Sequence, residues 1–243
     1  MGKNIRFRIL YLLVMFLSVT AGGCGKEKTL SFYPNETISV VNPEEVNIAD
    51  MLQDTASGVI VQLRAGSSLG SGVIFKLDEK EMIVVTAAHV IADAENVKLL
   101  LKDGSTQETA GIYCSESADV GFLRLDMKDV ELVDSGLIQY AVTDRETFDA
   151  LAAGDGIIVM GSRDGIAANA YEGEILEPWI YLEDFQQYML WGWTTARPGM
   201  SGGGVFDQSG RFIGILCGGN EDNEIAVLPL SIILSEFDMF FGL

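Results

Sequence analysis

The chain holds a single histidine, His89, among 243 residues. Any chemistry that needs an imidazole base must run through that one side chain. Cysteine is scarce too, at Cys24, Cys114 and Cys217, with no Cys-x-x-Cys spacing. One histidine and three scattered thiols leave almost no basis for a zinc site. The odd cysteine count requires one thiol with a separate fate; whether Cys114 and Cys217 pair stays open at this level. Basic side chains are few, 16 against 35 acids, for a net charge of -19. A surface of that sign repels nucleic acid and anionic headgroups, so no nucleic-acid partner is expected. Proline is limited to 5 residues. No internal repeat or low-complexity tract stands out. What is abundant is apolar residues, at 48%, and glycine, at 27. The first suffices for a core and excludes global disorder; the second, set among short apolar runs, points to turns between strands.

The first residues read as an address. Lys3, Arg6 and Arg8 precede an apolar run from Ile9 to Val19, broken only by Ser18. That run is shorter than the roughly 20 residues of a membrane span and fits a signal peptide. Ala21-Gly22-Gly23-Cys24 follows. Small residues directly before a cysteine resemble the lipobox of bacterial lipoproteins, although leucine is usual where Ala21 stands. The resemblance implies cleavage after residue 23, lipidation of Cys24 and a membrane-tethered domain outside the cytoplasm. An ordinary signal peptide cut nearby is the alternative. Residues 24–54 are polar and read as a tether, with a short helix near Glu44–Gln53. Asn35-Glu36-Thr37 is a formal glycosylation sequon.

From there the chain reads as strands over 58–65, 71–77, 81–86, 96–102, 106–114 and 120–125. The stretch 126–155 interrupts the pattern; Thr143 and Glu146 have the spacing of a helix capping box. Strands resume over 156–161, 170–177, 188–194, 203–207, 211–217 and 224–230, and 231–240 reads as an amphipathic helix. Six strands, a linker and six more strands predict an all-β molecule, either barrels or a sandwich.

Three segments carry chemistry. Val84-Val85-Thr86-Ala87-Ala88-His89 is an apolar strand that ends in small residues and then presents the histidine. Ser117-Ala118-Asp119-Val120-Gly121 puts an acid directly before an apolar strand, where a carboxylate can accept a hydrogen bond from an imidazole. Arg197-Pro198-Gly199-Met200-Ser201-Gly202-Gly203 places a serine between glycines that let backbone N–H groups converge and keep side chains clear of the hydroxyl. Each has an ordinary structural reading alone: a strand-closing histidine, a turn aspartate, a glycine-rich hairpin. Together, in the order His, Asp, Ser, with the one histidine at the required place, they form a candidate triad.

These segments resemble the trypsin/chymotrypsin superfamily, and more closely its HtrA-like bacterial branch, on Thr195–Gly203 and on Gly210-Arg211-Phe212-Ile213-Gly214-Ile215. The likeness spans roughly residues 55–235. It implies an all-β fold of two six-stranded antiparallel β-barrels, over 55–140 and 141–243, with a short C-terminal helix and an active site in the crevice between them. His89, Asp119 and Ser201 are then the triad, and the N–H groups of Gly199 and Ser201 the oxyanion hole. Thr195 falls at the base of the specificity pocket, with Cys217, Gly218 and Gly219 along its side. An uncharged Thr195 implies cleavage after a small or medium apolar residue rather than Arg or Lys. Departures are visible. About 40 residues follow Ser201, too few for the PDZ domain usual in HtrA proteins, Met200 stands where Asp or Asn is usual, and the cysteines that flank the histidine in animal trypsins are missing.

The reading is a peptidase that acts through an acyl-enzyme on protein or peptide substrates, without cofactor or metal; an imidazole base makes activity fall as pH drops below neutral. Oligomeric state is left open. The rivals are a non-catalytic or latent two-barrel binding protein, a serine esterase, and a metal-dependent hydrolase, for which the acidic run Glu221-Asp222-Asn223-Glu224 offers only a weak calcium site against the ordinary reading of a solvated loop.

Overall fold

Apolar alternation decides where each strand lies. In a computed structural model describing residues 58–101, 104–127, 140–162 and 168–242, the chain is all-β with a terminal helix. The leader, the tether with its expected helix, Asn35 and Cys24 lie outside the described residues.

The first half forms seven antiparallel strands: β1 (Ile60–Ala65), β2 (Ser68–Leu77), β3 (Glu81–Thr86), β4 (Val97–Leu100), β5 (Thr106–Glu108), β6 (Gly111–Cys114) and β7 (Gly121–Asp126). Their order is β5-β4-β1-β2-β3-β7-β6, and among the described residues this sheet is a half-barrel rather than the closed six-stranded barrel expected. The expected strand 106–114 is in fact two. Thr109 and Ala110 break it, because β5 pairs with β4 whereas β6 pairs with β7 at the other edge.

The second half closes fully. Strands β8 (Gly156–Ser162), β9 (Ala168–Leu182), β10 (Gln187–Thr194), β11 (Gly204–Asp207), β12 (Phe212–Gly219) and β13 (Glu224–Pro229) make a barrel in the order β10-β13-β12-β11-β8-β9. Two short helices, α1 (Ala88–Ile91) and α2 (Arg145–Asp149), precede it, and α3 (Leu230–Phe241) ends the chain. Asp144, not Thr143, caps α2: its carboxylate accepts from Glu146 N at 3.0 Å and from Thr147 Oγ1 at 3.0 Å. Thr143 is instead held in a β-bridge with Phe212.

Strand β8 shows why the second half reads as continuous apolar runs. Ile157 and Val159 point into the barrel, with Met200, Val205 and Ile213. Ile158 and Met160 point outward into a larger core shared with β1, β2, β3 and β7. A strand buried on both faces shows no polar alternation. Helix α3 follows the second barrel in sequence but packs on the first sheet: Phe237 lies 5.2 Å from Phe75 and 5.6 Å from Phe122, ring centre to ring centre.

Candidate active site

The register of β3 against β7 builds the first part of the site. Thr86 lies opposite Gly121, so the loop after β3 and the loop before β7 meet. His89 sits in α1, three residues beyond Thr86, and Asp119 sits two residues before Gly121. Asp119 Oδ2 lies 2.7 Å from His89 Nδ1, and Oδ1 accepts from His89 N at 3.0 Å. One carboxylate thus holds both the ring and an N–H left free at the start of the helix. A carboxylate only accepts, so this bond puts the hydrogen on Nδ1 and leaves Nε2 as the acceptor. Burial works against the Asp119 charge, but the hydrogen bonds and charge of His89 prevail and hold its carboxyl below the ordinary value of 3.8.

Ser201 is delivered by two consecutive turns between β10 and β11. Met200 N bonds Arg197 O at 3.1 Å, and Gly203 N bonds Met200 O at 2.8 Å. Gly199 and Gly202, third in each turn, have φ of 89° and 80°. Pro198 and Ser201 lack positive φ, so both turns are type II, where glycine belongs at the third position. At Gly202 a side chain is also barred by space: a Cβ would lie 2.2 Å from Thr86 Oγ1 and 2.3 Å from Ser71 O. The serine turn is therefore pressed onto the end of β3, beside the histidine helix.

Ser71 of β2, fully buried, ties this contact together. Its N–H donates to Ser201 O at 2.8 Å, and its hydroxyl donates to Gly199 O at 2.8 Å and accepts from Ser162 N at 2.7 Å. Thr86 Oγ1 donates to Ser71 O at 2.7 Å. Nothing in the sequence pattern singled out Ser71; it reads as one more small residue in Gly70-Ser71-Gly72. Met200, standing where Asp or Asn was expected, is buried in the barrel interior. Among the described residues no hydrogen bond joins Ser201 Oγ to His89 Nε2; bonds of this kind tighten when substrate is held.

The residues expected to bind substrate are less uniform. Thr195 is half-buried just beyond β10, and the following Ala196 lies 3.4 Å from where a Gly219 Cβ would stand. Gly218 is covered by the Phe185 ring, 3.0 Å from its Cβ position. Phe185 comes from the β9–β10 turn, so no local motif pointed to it. Cys217 is buried, and its thiol faces Asp119 O at 3.6 Å. Burial, then the Asp119 charge, push that thiol well above its ordinary value. Cys114 and Cys217 are both free, so the open pairing resolves to two thiols.

A family model of the trypsin-like peptidase domain matches residues 70–215. A probable periplasmic serine endoprotease DegP-like of Pseudomonas fluorescens is 30% identical over 154 residues, 63% of this chain and 29% of that protein. The periplasmic pH-dependent serine endoprotease DegQ of Escherichia coli is 28% identical over 150 residues, 60% of this chain and 30% of DegQ. The match thus spans under a third of the length of these curated relatives. The HtrA-type protease AlgW, solved with a tripeptide, superposes with a TM-score of 0.66 at 22% identity, covering 81% of this chain and 64% of AlgW. The inactive form of Rv3671c from M. tuberculosis gives 0.65 at 19% identity, covering 82% and 95%. On the family match and this fold, the chain belongs to the trypsin-like peptidase family.

Proposed function

We propose that the chain is a serine endopeptidase tethered outside the cytoplasmic membrane through a lipid on Cys24. The 2.7 Å bond from Asp119 to His89 carries the reading, because it leaves Nε2 as a base beside the turn that presents Ser201. Ser201 Oγ attacks the scissile carbonyl and its proton passes to His89 Nε2. The carbon–nitrogen bond breaks as His89 returns that proton to the leaving amine. Water, deprotonated by His89, then attacks the acyl carbon, and the ester bond to Ser201 Oγ breaks as His89 returns the proton to that oxygen. The N–H groups of Gly199 and Ser201 receive the oxyanion, each such donor contributing about 3–4 kcal/mol at the transition state. The type II turn at Gly199 supports this arrangement over a latent one. A flip of the Pro198–Gly199 peptide would convert it to type I and bring the Gly199 φ to a negative value. The periplasmic and endoprotease names of the relatives support the location and the reaction class. With Thr195 uncharged and Phe185 over Gly218, the residue before the cut is expected to be small or medium and apolar.

A fluorophosphonate probe on the purified protein tests the mechanism. Labelling at Ser201 that disappears in Ser201→Ala, together with library cleavage after apolar residues, is the expected result. Folded protein that stays unlabelled would favour a binding function, and cleavage after Arg or Lys would overturn the pocket assignment.

A further inference from the structure

Helix α3 buries Leu230, Ile233, Glu236 and Phe237 along one face. Three of these are expected. The fourth is a carboxylate only 6% exposed, and a buried carboxylate is costly unless it is hydrogen-bonded. Its partner is Ser117, whose hydroxyl donates to Glu236 Oε1 at 2.6 Å across 119 residues of sequence. Ser117 lies two residues before Asp119.

The loop around Ser117 transmits this hold. Ser115 Oγ accepts from Ser117 N at 3.0 Å and from Ala118 N at 3.1 Å, and Ser115 N donates to Val120 O at 3.0 Å. The whole turn from Ser115 to Val120 is thus one hydrogen-bonded unit. Asp119 projects from one side of it toward His89, and Ser117 projects toward α3. On the far side α3 is fixed by rings: Phe237 against Phe75 and Phe122, and Phe241 5.1 Å from Tyr113.

On the reading of this site as a serine peptidase, we infer that Glu236 is a positioning residue: through Ser117 it holds the Asp119 loop, and so sets the ring of His89. The terminal helix is then part of the catalytic apparatus without touching substrate. A purely structural role makes a different prediction: loss of the bond would change stability alone and leave kcat and the His89 ring as they are.

Glu236→Met and Ser117→Ala remove the bond; Glu236→Gln and Ser117→Thr keep an acceptor and a donor. Two readouts apply to the full chain. One is kcat and KM on a peptide substrate. The other is the low-field Nδ1–H resonance of His89, which is free of overlap because no other imidazole exists. Glu236→Met is expected to keep its melting temperature, whereas Ser117→Ala, which leaves the buried carboxylate without this donor, is expected to lower it; both are expected to lose about ten-fold in kcat, the scale of one hydrogen bond to a charged group, with KM unchanged, and to broaden or shift the His89 line. The conservative pair should retain both. A wild-type His89 line and wild-type kcat in Glu236→Met and Ser117→Ala would overturn the inference. If wild-type protein shows the line but hydrolyses no peptide, the peptidase reading fails, and the response of the line to the two variants decides the positioning role alone.

Discussion

Ser71 shows how much of the site rests on one small side chain. Its hydroxyl satisfies the Gly199 carbonyl and the Ser162 N–H at once, with no exposure to solvent. Ser71→Ala would remove that partner from the half-buried Gly199 carbonyl and from the buried Ser162 N–H, at about 1–3 kcal/mol where a buried polar group loses its partner. The expected outcome is a destabilisation of that size by urea denaturation. Because Gly199 O belongs to the turn that carries the proposed oxyanion donors, the fluorophosphonate labelling rate should fall as well, even where the protein is fully folded. The proposed triad of His89, Asp119 and Ser201 was readable from the sequence because each sits in a short motif whose residue types are dictated locally. Ser71, Phe185 and Glu236 were not, because each acts on a partner more than 30 positions away. No local pattern encodes such a pairing.

Helix α3 is the element whose role changes most between sequence and structure. Its amphipathic pattern was visible, and its extent, Leu230–Phe241, differs by a residue at each end from the expected 231–240. Which surface it covers was not visible, since the face that packs on Phe75 and Phe122 carries no mark of its partner. Phe237→Ala is expected to cost about 3–5 kcal/mol, as for other buried phenylalanines, read as a lowered denaturant midpoint with an unchanged slope. Strands were located well where a polar residue opens an apolar run, as at Glu81 of β3 and Glu224 of β13. The split between β5 and β6 was missed because both halves have strand-like composition. Only their pairing with opposite ends of the sheet separates them.

At the scale of the molecule, two halves share one large core, and the proposed catalytic groups sit where they meet. Asp119 gives this arrangement a pH signature. Its folded-state carboxyl lies below the ordinary value of 3.8, so the charged form is favoured by folding. The stability it contributes is fully present above that ordinary value and is lost as pH falls through the lower folded-state value. Denaturant midpoints taken from pH 6 downward should therefore fall below about pH 4, and Asp119→Asn should flatten the part of that fall due to this residue. The overall architecture was legible from strand spacing and the three motifs. The half-barrel form of the first sheet was not, because sheet closure depends on how strand ends pair rather than on which residues form strands.

The three tryptophans of the chain, Trp179, Trp191 and Trp193, all lie on β9 and β10. Trp179 stacks on Tyr188, ring centres 5.3 Å apart, and the first sheet holds none of the three. Intrinsic indole emission therefore arises on the second barrel alone, with Trp191 packed against the core that both halves share. A loosening confined to α1 and to the loop that carries Asp119 would, on the proposed mechanism, silence the enzyme while leaving the fluorescence spectrum of a healthy protein.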